Sequence, residues 1–237
     1  MTENRPTALI TGGARGIGAA IVREIARDHR VIFTYRGSEA PARALAADLP
    51  GALALPCDFA LPDAPARLLA ELSAATASLD LLVNSAGTVE EEDPLSFDPT
   101  SAERQMRVNA LGPAALISGA AALMPPGSAV INITSVNAVS PPVSALTYAA
   151  SKAALESYTR GFAKALGPRG IRVNAIAPGA VERAHAPRPP ELVALIEEDT
   201  ALGTLATPGD IAAATRFLAG ARGVTGVVLP VSRGYRL

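Results

Sequence analysis

Short, almost wholly apolar runs alternate along the chain with longer stretches in which apolar residues recur every three or four positions. The run LDLLVN at 79–84 is apolar along nearly its whole length, as expected of a strand buried on both faces of a sheet. From Ile17 to Ile25 the apolar residues have helical spacing. The predicted strands are 7–11, 31–35, 53–57, 79–84, 128–134, 171–176 and 226–231. The predicted helices begin at Ile17 and cover 39–49, 64–75, 100–123, 145–166, 191–199 and 210–218, with a bend near Gly112-Pro113 in the fourth of them.

This alternation predicts an α/β fold of the Rossmann type, a doubly wound parallel sheet with helices on both faces. The length of 237 residues fits one domain over residues 1–237, and no stretch resembles a linker. A (β/α)8 barrel is the alternative. It would need eight regular repeats and more residues, and its first turn has no reason to be rich in glycine.

A glycine-rich turn, TGGARGIG at 11–18, joins the first predicted strand to the first predicted helix. Glycine permits a tight turn, lets the backbone approach a pyrophosphate and allows a helix to pack closely on a strand. The N-terminus of the following helix adds free N–H groups and the positive end of its dipole. An ordinary flexible loop could have this composition, but the position at a strand–helix junction favours a nucleotide site.

A second pattern combines hydroxyl groups with an amine. Tyr148 and Lys152 are four residues apart and so share one face of a predicted helix. A nearby ammonium group stabilises a phenolate and lowers the tyrosine pKa from ~10, which suits proton transfer near neutral pH. A coincidental pair is the alternative, but Lys152 is one of only two lysines among 21 basic residues. Ser135 ends the fifth predicted strand, where doubly wound sheets bind ligands, and Asn109 lies in a helix interior, where asparagine is mildly unfavourable.

Together these motifs resemble the short-chain dehydrogenase/reductase family, over nearly the whole chain and in the family's order. The family's catalytic tetrad is carried over to Asn109, Ser135, Tyr148 and Lys152. The resemblance implies that NADPH delivers hydride to a carbonyl carbon while Ser135 and Tyr148 bind the carbonyl oxygen and Tyr148 protonates it. It also implies that Lys152 lowers the pKa of Tyr148 and holds the nicotinamide ribose, and that Asn109 holds a water molecule.

The segment after the second predicted strand bears on the choice of cofactor. An acidic residue there would bind the ribose 2'-hydroxyl and select NAD, but this chain has TYRGS at 34–38. Arg36 can fork onto a 2'-phosphate with Arg15 opposite, and in the resembled family basic residues at these places accompany NADP. NADPH/NADP+ is therefore predicted, although two solvated arginines would also fit, and Glu39 lies past the strand end. The cofactor-binding residues implied are Thr11, Gly12, Arg15, Gly16, Ile17, Gly18, Arg36, Asp58, Phe59, Asn84, Ala86, Gly87, Tyr148, Lys152, Pro178, Gly179 and Val181.

Within the family, the segments at 35–38, 135–137 and 148–152 are most similar to 3-oxoacyl-[acyl-carrier-protein] reductases and polyketide ketoreductases. They imply NADPH-dependent reduction of a ketone to a secondary alcohol, with a 3-oxoacyl thioester or polyketide-type carbonyl as substrate. Another small or aromatic secondary-metabolite ketone is the alternative substrate. An NAD-dependent alcohol dehydrogenase is disfavoured by Arg36. A catalytically silent NADP-binding sensor or scaffold is disfavoured by the intact Ser-Tyr-Lys set.

The chain departs from the family's pattern mainly after Pro178-Gly179. The family commonly has a threonine four residues after that pair, where this chain has Arg183. The segment 179–207 would form the substrate loop, and His185 within it is expected to be solvated. The C-terminal VSRG at 231–234 replaces the family's common Asp-Gly-Gly.

Charge and composition limit the partners. A formal net charge of −1 argues against a large basic face for nucleic acid. No apolar run reaches the ~20 residues needed to cross a membrane, and no signal-peptide pattern is present, so a cytoplasmic location is expected. The single cysteine, Cys57, allows no disulfide within the chain and is expected to pack as a small hydrophobic residue. The two histidines, His29 and His185, have no neighbouring ligand cluster, so no metal site is expected.

Two protein partners are predicted. A basic patch for an acidic acyl carrier protein could use arginines that are equally consistent with solvated helix or loop ends: Arg104, Arg107, Arg169 and Arg172. The Ala-rich helices at 100–123 and 145–166 have wide apolar faces, and in the resembled family such helices pair between subunits. A homodimer or homotetramer is therefore expected, although burial within the monomer explains part of the same pattern.

Overall fold

A computed structural model describes residues 5–183 and 186–235. Seven strands, all parallel, form one sheet in the order β3-β2-β1-β4-β5-β6-β7. The strand order reverses between β1 and β4, and ligands bind outside the carboxyl ends of the strands at such a switch point. The strands are β1 Thr7–Thr11, β2 Arg30–Tyr35, β3 Leu53–Pro56, β4 Leu81–Asn84, β5 Ala129–Ile133, β6 Arg172–Pro178 and β7 Val228–Val231.

Helices cover both faces of this sheet, which confirms the predicted doubly wound α/β class. One buried apolar cluster lies under α1, α2 and α8, and a second lies under α3, α5 and α6. The helices are α1 Gly16–Ile25, α2 Glu39–Ala47, α3 Ala64–Ala75, α4 Pro99–Met106, α5 Gly112–Ala120, α6 Leu146–Leu166, α7 Pro190–Glu198 and α8 Pro208–Gly220. Single 3-10 turns follow α5, β5 and α6 at Ala121–Leu123, Val136–Ala138 and Gly167–Arg169.

The long helix predicted at 100–123 is instead interrupted by a π-helical turn, Arg107–Leu111, that joins α4 to α5. The backbone N–H of Gly112 bonds to the carbonyl of Arg107, five residues before it. Pro113 has no N–H to donate to the carbonyl of Asn109, so the regular α pattern could not continue across this point. The bend predicted at Gly112-Pro113 is thus a π turn, and Asn109 within it is fully buried.

The same run also bears on membranes. By length and composition, Pro99–Leu123 is long and apolar enough to cross a membrane, although charged residues interrupt its apolar sequence. Half of its most apolar window is buried inside the protein, where α5 packs against α3 and Leu116 and Ile117 are fully buried. Its apolar character is therefore that of a helix packed into the core.

Strand boundaries differ from the predictions by a few residues. β4 begins at Leu81 rather than at 79, because the N–H of Leu79 bonds to the carbonyl of Leu123 in the 3-10 turn after α5 and not to a neighbouring strand. β6 continues to Pro178 and pairs there with Val231 of β7. This extension carries the chain directly into the segment that faces the site.

Candidate active site

An open cleft of about 440 Å³ lies at the carboxyl ends of β1, β4 and β5, at the switch point of the sheet. Its volume is that of an ordinary small-molecule site. Most of the residues predicted from sequence line it: Gly12, Arg15, Gly16, Ile17, Gly18, Arg36, Asp58, Phe59, Ala86, Gly87, Ser135, Tyr148, Lys152, Pro178, Gly179 and Val181. Three predicted residues, Thr11, Asn84 and Asn109, are buried and do not line it.

The glycine-rich turn is built so that no side chain fits between it and the neighbouring backbone. A Cβ atom on Gly18 would lie 2.1 Å from the carbonyl oxygen of Gly12. Gly12 has φ +68°, and a Cβ there would lie 2.8 Å from the Cα of Ala86. Helix α1 begins at Gly16 without a side-chain cap from Arg15. Its free N–H groups and its dipole therefore suit the pyrophosphate of a dinucleotide.

Thr11 and Asn84 support the floor of the cleft from behind, and a contact with the cofactor stays a prediction for each of them. The Thr11 hydroxyl accepts hydrogen bonds from the N–H groups of Ser85 and Ala86, both at 3.0 Å, and so ties the end of β1 to the loop after β4. The Asn84 amide donates to the Oδ1 atom of Asn132 at 2.8 Å. These bonds hold neighbouring strand ends in register at the switch point.

Two arginines, Arg15 and Arg36, lie at the end of the cleft near β2. Within the described part of the chain, neither has a carboxylate within ion-pair distance. Glu39, the acidic residue closest in sequence, pairs with Arg43 on the exposed side of α2 at 2.5 Å. The positive charge at this end is therefore available to a phosphate, as the sequence predicted.

The side chains of Asp58 and Phe59 have structural roles beside this end of the cleft. The Asp58 carboxylate accepts a hydrogen bond from the N–H of Ala60 at 3.0 Å, which is a local turn contact. Phe59 is buried against α5, next to the position where Gly112 leaves room for its ring. Both residues still line the cleft, so a contact with the cofactor remains a prediction for each of them.

At the other end of the cleft the structure brings Ser135, Tyr148 and Lys152 together. Ser135 follows β5, and the other two lie on one face of α6. Ser135 and Tyr148 both line the cleft, and the Ser135 hydroxyl lies close enough to the Tyr148 phenol to lower its pKa. The buried Lys152 ammonium donates to the carbonyl of Ile133 at 2.8 Å and lies 5.7 Å from the centre of the Tyr148 ring. Two hydroxyl groups therefore converge where a carbonyl oxygen could bind, with a cation beneath them.

The pKa of Tyr148 differs from the expectation. Burial raises the pKa of Tyr148 above its ordinary value, although the hydrogen bond with Ser135 and the positive charge of Arg183 lower it in part. The sequence-based expectation of a pKa lowered by Lys152 is therefore wrong in direction for this structure, because burial outweighs the nearby charges. Burial also lowers the pKa of Lys152, to about 8.

Asn109 acts through its side chain on the loop after β4 and on α6. Its Oδ1 atom accepts from the N–H of Thr88 at 2.8 Å, and its Nδ2 atom donates to the carbonyl of Thr88 at 2.8 Å and to the hydroxyl of Ser151 at 3.0 Å. Ser151 in turn donates to the carbonyl of Tyr148 at 2.7 Å. The π turn thus supplies an amide that holds the cleft wall and the catalytic helix together. That Asn109 also holds a water molecule stays a prediction.

Glu92 is a residue that the sequence analysis missed. One carboxylate oxygen accepts from the N–H of Thr147 in the first turn of α6 at 2.8 Å, and the other accepts from the side chain of Gln105 at 2.9 Å. A carboxylate at a helix N-terminus is stabilising because it faces unpaired N–H groups and the positive end of the dipole. Glu92 therefore fixes the end of α6 that carries Tyr148. Nothing in the local sequence EEED at 90–93 distinguishes it from a solvated acidic loop.

The structure corrects one proposed carrier-protein contact. Arg172 is buried, and its guanidinium donates to the carbonyls of Leu218 and Ala219 at the end of α8, so it does not lie on a basic surface.

Cys57 is half-buried, and burial raises the pKa of its thiol to about 11, which agrees with a packing role. The structure brings no group of three or more His, Cys, Asp or Glu side chains together as a metal site in the ranges 5–183 and 186–235. His185 lies outside those ranges.

Comparison with known proteins agrees with this geometry. Residues 12–236 match the family model described as enoyl-(acyl carrier protein) reductase. The chain is 36% identical over 216 residues to the cyclic-di-GMP-binding biofilm dispersal mediator protein of Escherichia coli, covering 90% of this chain and 89% of that protein. It is 32% identical over 239 residues to carbonyl reductase family member 4 of Danio rerio, covering 97% and 98%.

A solved structure with the same fold is that of a blue fluorescent protein from a metagenomic library in complex with NADPH. It is 34% identical in sequence, has a TM-score of 0.93 and is aligned over the full length of both chains. The glycine cradle formed by the turn at 11–18, the hydroxyls of Ser135 after β5 and Tyr148 on α6, and these relatives agree. Together they establish that the chain belongs to the short-chain dehydrogenase/reductase family of oxidoreductases.

Proposed function

We propose that this protein reduces a ketone to a secondary alcohol with NADPH, and that the substrate is a 3-oxoacyl thioester or polyketide-type carbonyl. One observation carries the proposal. The hydroxyls of Ser135 and Tyr148 converge at the end of the cleft opposite Arg15 and Arg36, next to the Lys152 ammonium. Two hydroxyls that converge on one point of the cleft are arranged to bind one oxygen atom. This favours a carbonyl oxygen as the group that is reduced and protonated.

NADPH is the cofactor. The glycine cradle and the N-terminus of α1 take its pyrophosphate, and Arg15 and Arg36 take its 2'-phosphate. When bound, it supplies the hydride that the carbonyl carbon receives. The similar structure that holds NADPH supports this choice over NADH.

The protein's own residues orient the carbonyl and supply the proton. Ser135 and Tyr148 donate hydrogen bonds to the carbonyl oxygen, and the Tyr148 hydroxyl passes its proton to that oxygen as negative charge develops there. The raised pKa of Tyr148 keeps the hydroxyl protonated at neutral pH, as an acid requires. Lys152, charged below pH 8, stabilises the tyrosinate that remains and binds the ribose next to the nicotinamide.

The test is the loss of NADPH absorbance over a panel of 3-oxoacyl thioesters and aromatic ketones, with NADH run in parallel. Tyr148→Phe keeps the ring and removes only the acidic hydroxyl. We expect turnover with NADPH that falls at least 100-fold in the variant, while NADPH still binds, because general acid catalysis of this kind contributes about 10²–10⁴-fold. Equal turnover by Tyr148→Phe would contradict the mechanism, and the best substrate would distinguish acyl thioesters from secondary-metabolite ketones.

A second candidate function is an NADP-binding sensor without catalytic turnover. It is favoured by one observation, the 36% identity to a protein named for cyclic-di-GMP binding. A protein that binds NADPH and turns over no ketone in the panel would support this function. The intact hydroxyl pair and the buried lysine favour the enzyme.

We further propose a cytoplasmic location, assembly as a homodimer or homotetramer, and residues 179–207 as the substrate loop. Exposed apolar side chains on the α5 and α6 side, among them Leu111 and Leu146, support the assembly. The proposed protein partner is an acyl carrier protein, with Arg107 and Arg169 as contacts, and Arg169 also donates to the carbonyl of Ala121 at 2.7 Å. Arg104 is held by an ion pair with Glu90.

A further inference from the structure

The cleft has a second cationic end, formed by Arg183 and Arg188. Both arginines line the cleft on the side of Ser135 and Tyr148. Arg183 lies close enough to Tyr148 for its positive charge to act on the phenol. A group bound beside these arginines would lie next to the place where a carbonyl oxygen meets the Tyr148 hydroxyl.

The backbone just before Arg183 is fixed to the rest of the protein. Val181 forms a bridge with Ala206, and the N–H of Glu182 donates to the carbonyl of Ala206 at 2.9 Å. The guanidinium of Arg188 donates to the carbonyl of Val181 at 2.6 Å, and its side chain is partly buried. These contacts hold the Arg188 side chain and the backbone that carries Arg183 on one wall of the cleft, and the Arg183 side chain is exposed there.

The two guanidinium groups lie near each other without a bound acid. Across residues 5–183 and 186–235, no carboxylate is within 4.0 Å of either one, whereas Arg104, Arg216 and Arg233 each have an acidic partner. Burial lowers the pKa of Arg188, and the charge of Arg183 lowers it further, which is the mark of like charges held together. Other titratable groups at this end are Glu182, adjacent in the chain, Tyr235, which acts on Arg188, and Lys152, which faces Tyr148 and the carbonyl of Ile133.

We infer that Arg183 and Arg188 are specificity-determining residues that bind a carboxylate on the ketone substrate. Holding two positive charges on one wall of the cleft costs less free energy when an anion lies beside them. The planar guanidinium group of arginine matches the geometry of a carboxylate. The inference rests on the proposed ketone reduction. Within that reaction it favours oxo acids, which carry a free carboxylate, over the 3-oxoacyl thioesters, which carry none. Arg15 and Arg36 at the far end of the cleft remain for the cofactor phosphate.

The experiment compares an oxo acid with its own methyl ester, which has the same carbon skeleton and no charge. Wild-type protein and the variants Arg183→Gln and Arg188→Gln are assayed for kcat/KM with both compounds at saturating NADPH. The matched control is Arg27→Gln, an exposed arginine of the α1 end that pairs with Glu24. A phosphonate with the same skeleton separates a preference for carboxylate from a preference for any anion.

We expect wild type to prefer the acid to the ester at least tenfold. Each glutamine variant should lower that ratio at least tenfold, because a charge-assisted hydrogen bond contributes about 1.5–3 kcal/mol. The control should keep the wild-type ratio. A wild-type protein that reduces both compounds equally well would overturn the inference. So would variants that raise the KM for NADPH and leave the acid-to-ester ratio unchanged, since the arginines would then serve the cofactor.

If the proposed reduction itself fails, a binding experiment still tests the carboxylate site. If no compound is turned over, the acid and the ester are titrated by calorimetry against the complex with NADP+. Tighter binding of the acid that is lost in Arg183→Gln and Arg188→Gln would support the carboxylate site even though the reaction had failed. Equal binding of the acid and the ester would overturn the site itself.

Discussion

The protonation state of Lys152 should set the upper pH limit of the reaction. The ammonium is buried, and burial lowers its pKa from the usual 10.5 to about 8. It is the cation beneath the phenol that must stabilise the developing tyrosinate. Raising the pH through 8 therefore removes the charge that the mechanism uses. Tyr148 keeps its proton in this range, because burial raises its pKa above the ordinary ~10.

The size of the effect follows from the pKa. With a pKa of about 8, roughly nine tenths of the molecules carry the Lys152 charge at pH 7 and roughly one tenth at pH 9. We expect kcat/KM to be level below about pH 7.5 and to fall about tenfold per pH unit above about pH 8.5.

The assay is kcat/KM for the best ketone between pH 6.5 and 9.5 at constant ionic strength. Lys152→Arg provides the control, because a guanidinium stays charged throughout this range. The larger, forked group fits poorly where the lysine ammonium meets the carbonyl of Ile133, so its rate should be lower but independent of pH. A wild-type profile that stays level to pH 9.5 would refute the reasoning. The same decline in Lys152→Arg would assign the titration to another group.

Two further predictions concern Gly18 and the stability cost of Lys152. Gly18→Ala should weaken NADPH binding at least 100-fold by calorimetry, because its Cβ would lie 2.1 Å from the Gly12 carbonyl oxygen, whereas Gly161→Ala, with nothing within 4 Å, should leave binding unchanged. Lys152→Met should raise the free energy of unfolding in urea at pH 7 by about 1–3 kcal/mol, because a buried charge is removed at the cost of one hydrogen bond. The folded-state pKa is below the unfolded one, so wild type gains stability as pH rises from 8 to 10.5, and the difference should shrink there. A destabilised Lys152→Met at pH 7 would contradict this.

The sheet and the positions at its carboxyl edge could be predicted from sequence because both depend on local patterns. A buried parallel strand has to be apolar, and the residue after it has to lie at the edge where ligands bind. Ser135 and the turn at Gly12 follow such strands directly. The spacing of Tyr148 and Lys152 alone places them on one helix face. Their approach to Ser135 then requires only that α6 pack beside β5.

The π turn at Arg107–Leu111 could not be predicted in the same way. A π turn inserts one extra residue into the helix. One residue in 24 changes the average spacing of the apolar positions too little to be detected in the sequence. The proline at 113 indicated where the helix would be disturbed but not how. The inward direction of Asn109 and its bonds to Thr88 and Ser151 follow from that extra residue, and therefore from the tertiary structure.

The direction of the pKa shift of Tyr148 was predicted wrongly for a related reason. Sequence spacing identifies which charge lies near a phenol, but burial depends on everything that packs above it. Here burial raises the pKa of Tyr148 and lowers that of Lys152, so both groups favour their uncharged forms. An acid that holds its proton until a carbonyl oxygen develops negative charge is better suited to reduction than a phenolate formed beforehand. The chemistry then depends on a lysine that is still charged at neutral pH but lies within about one unit of losing its proton.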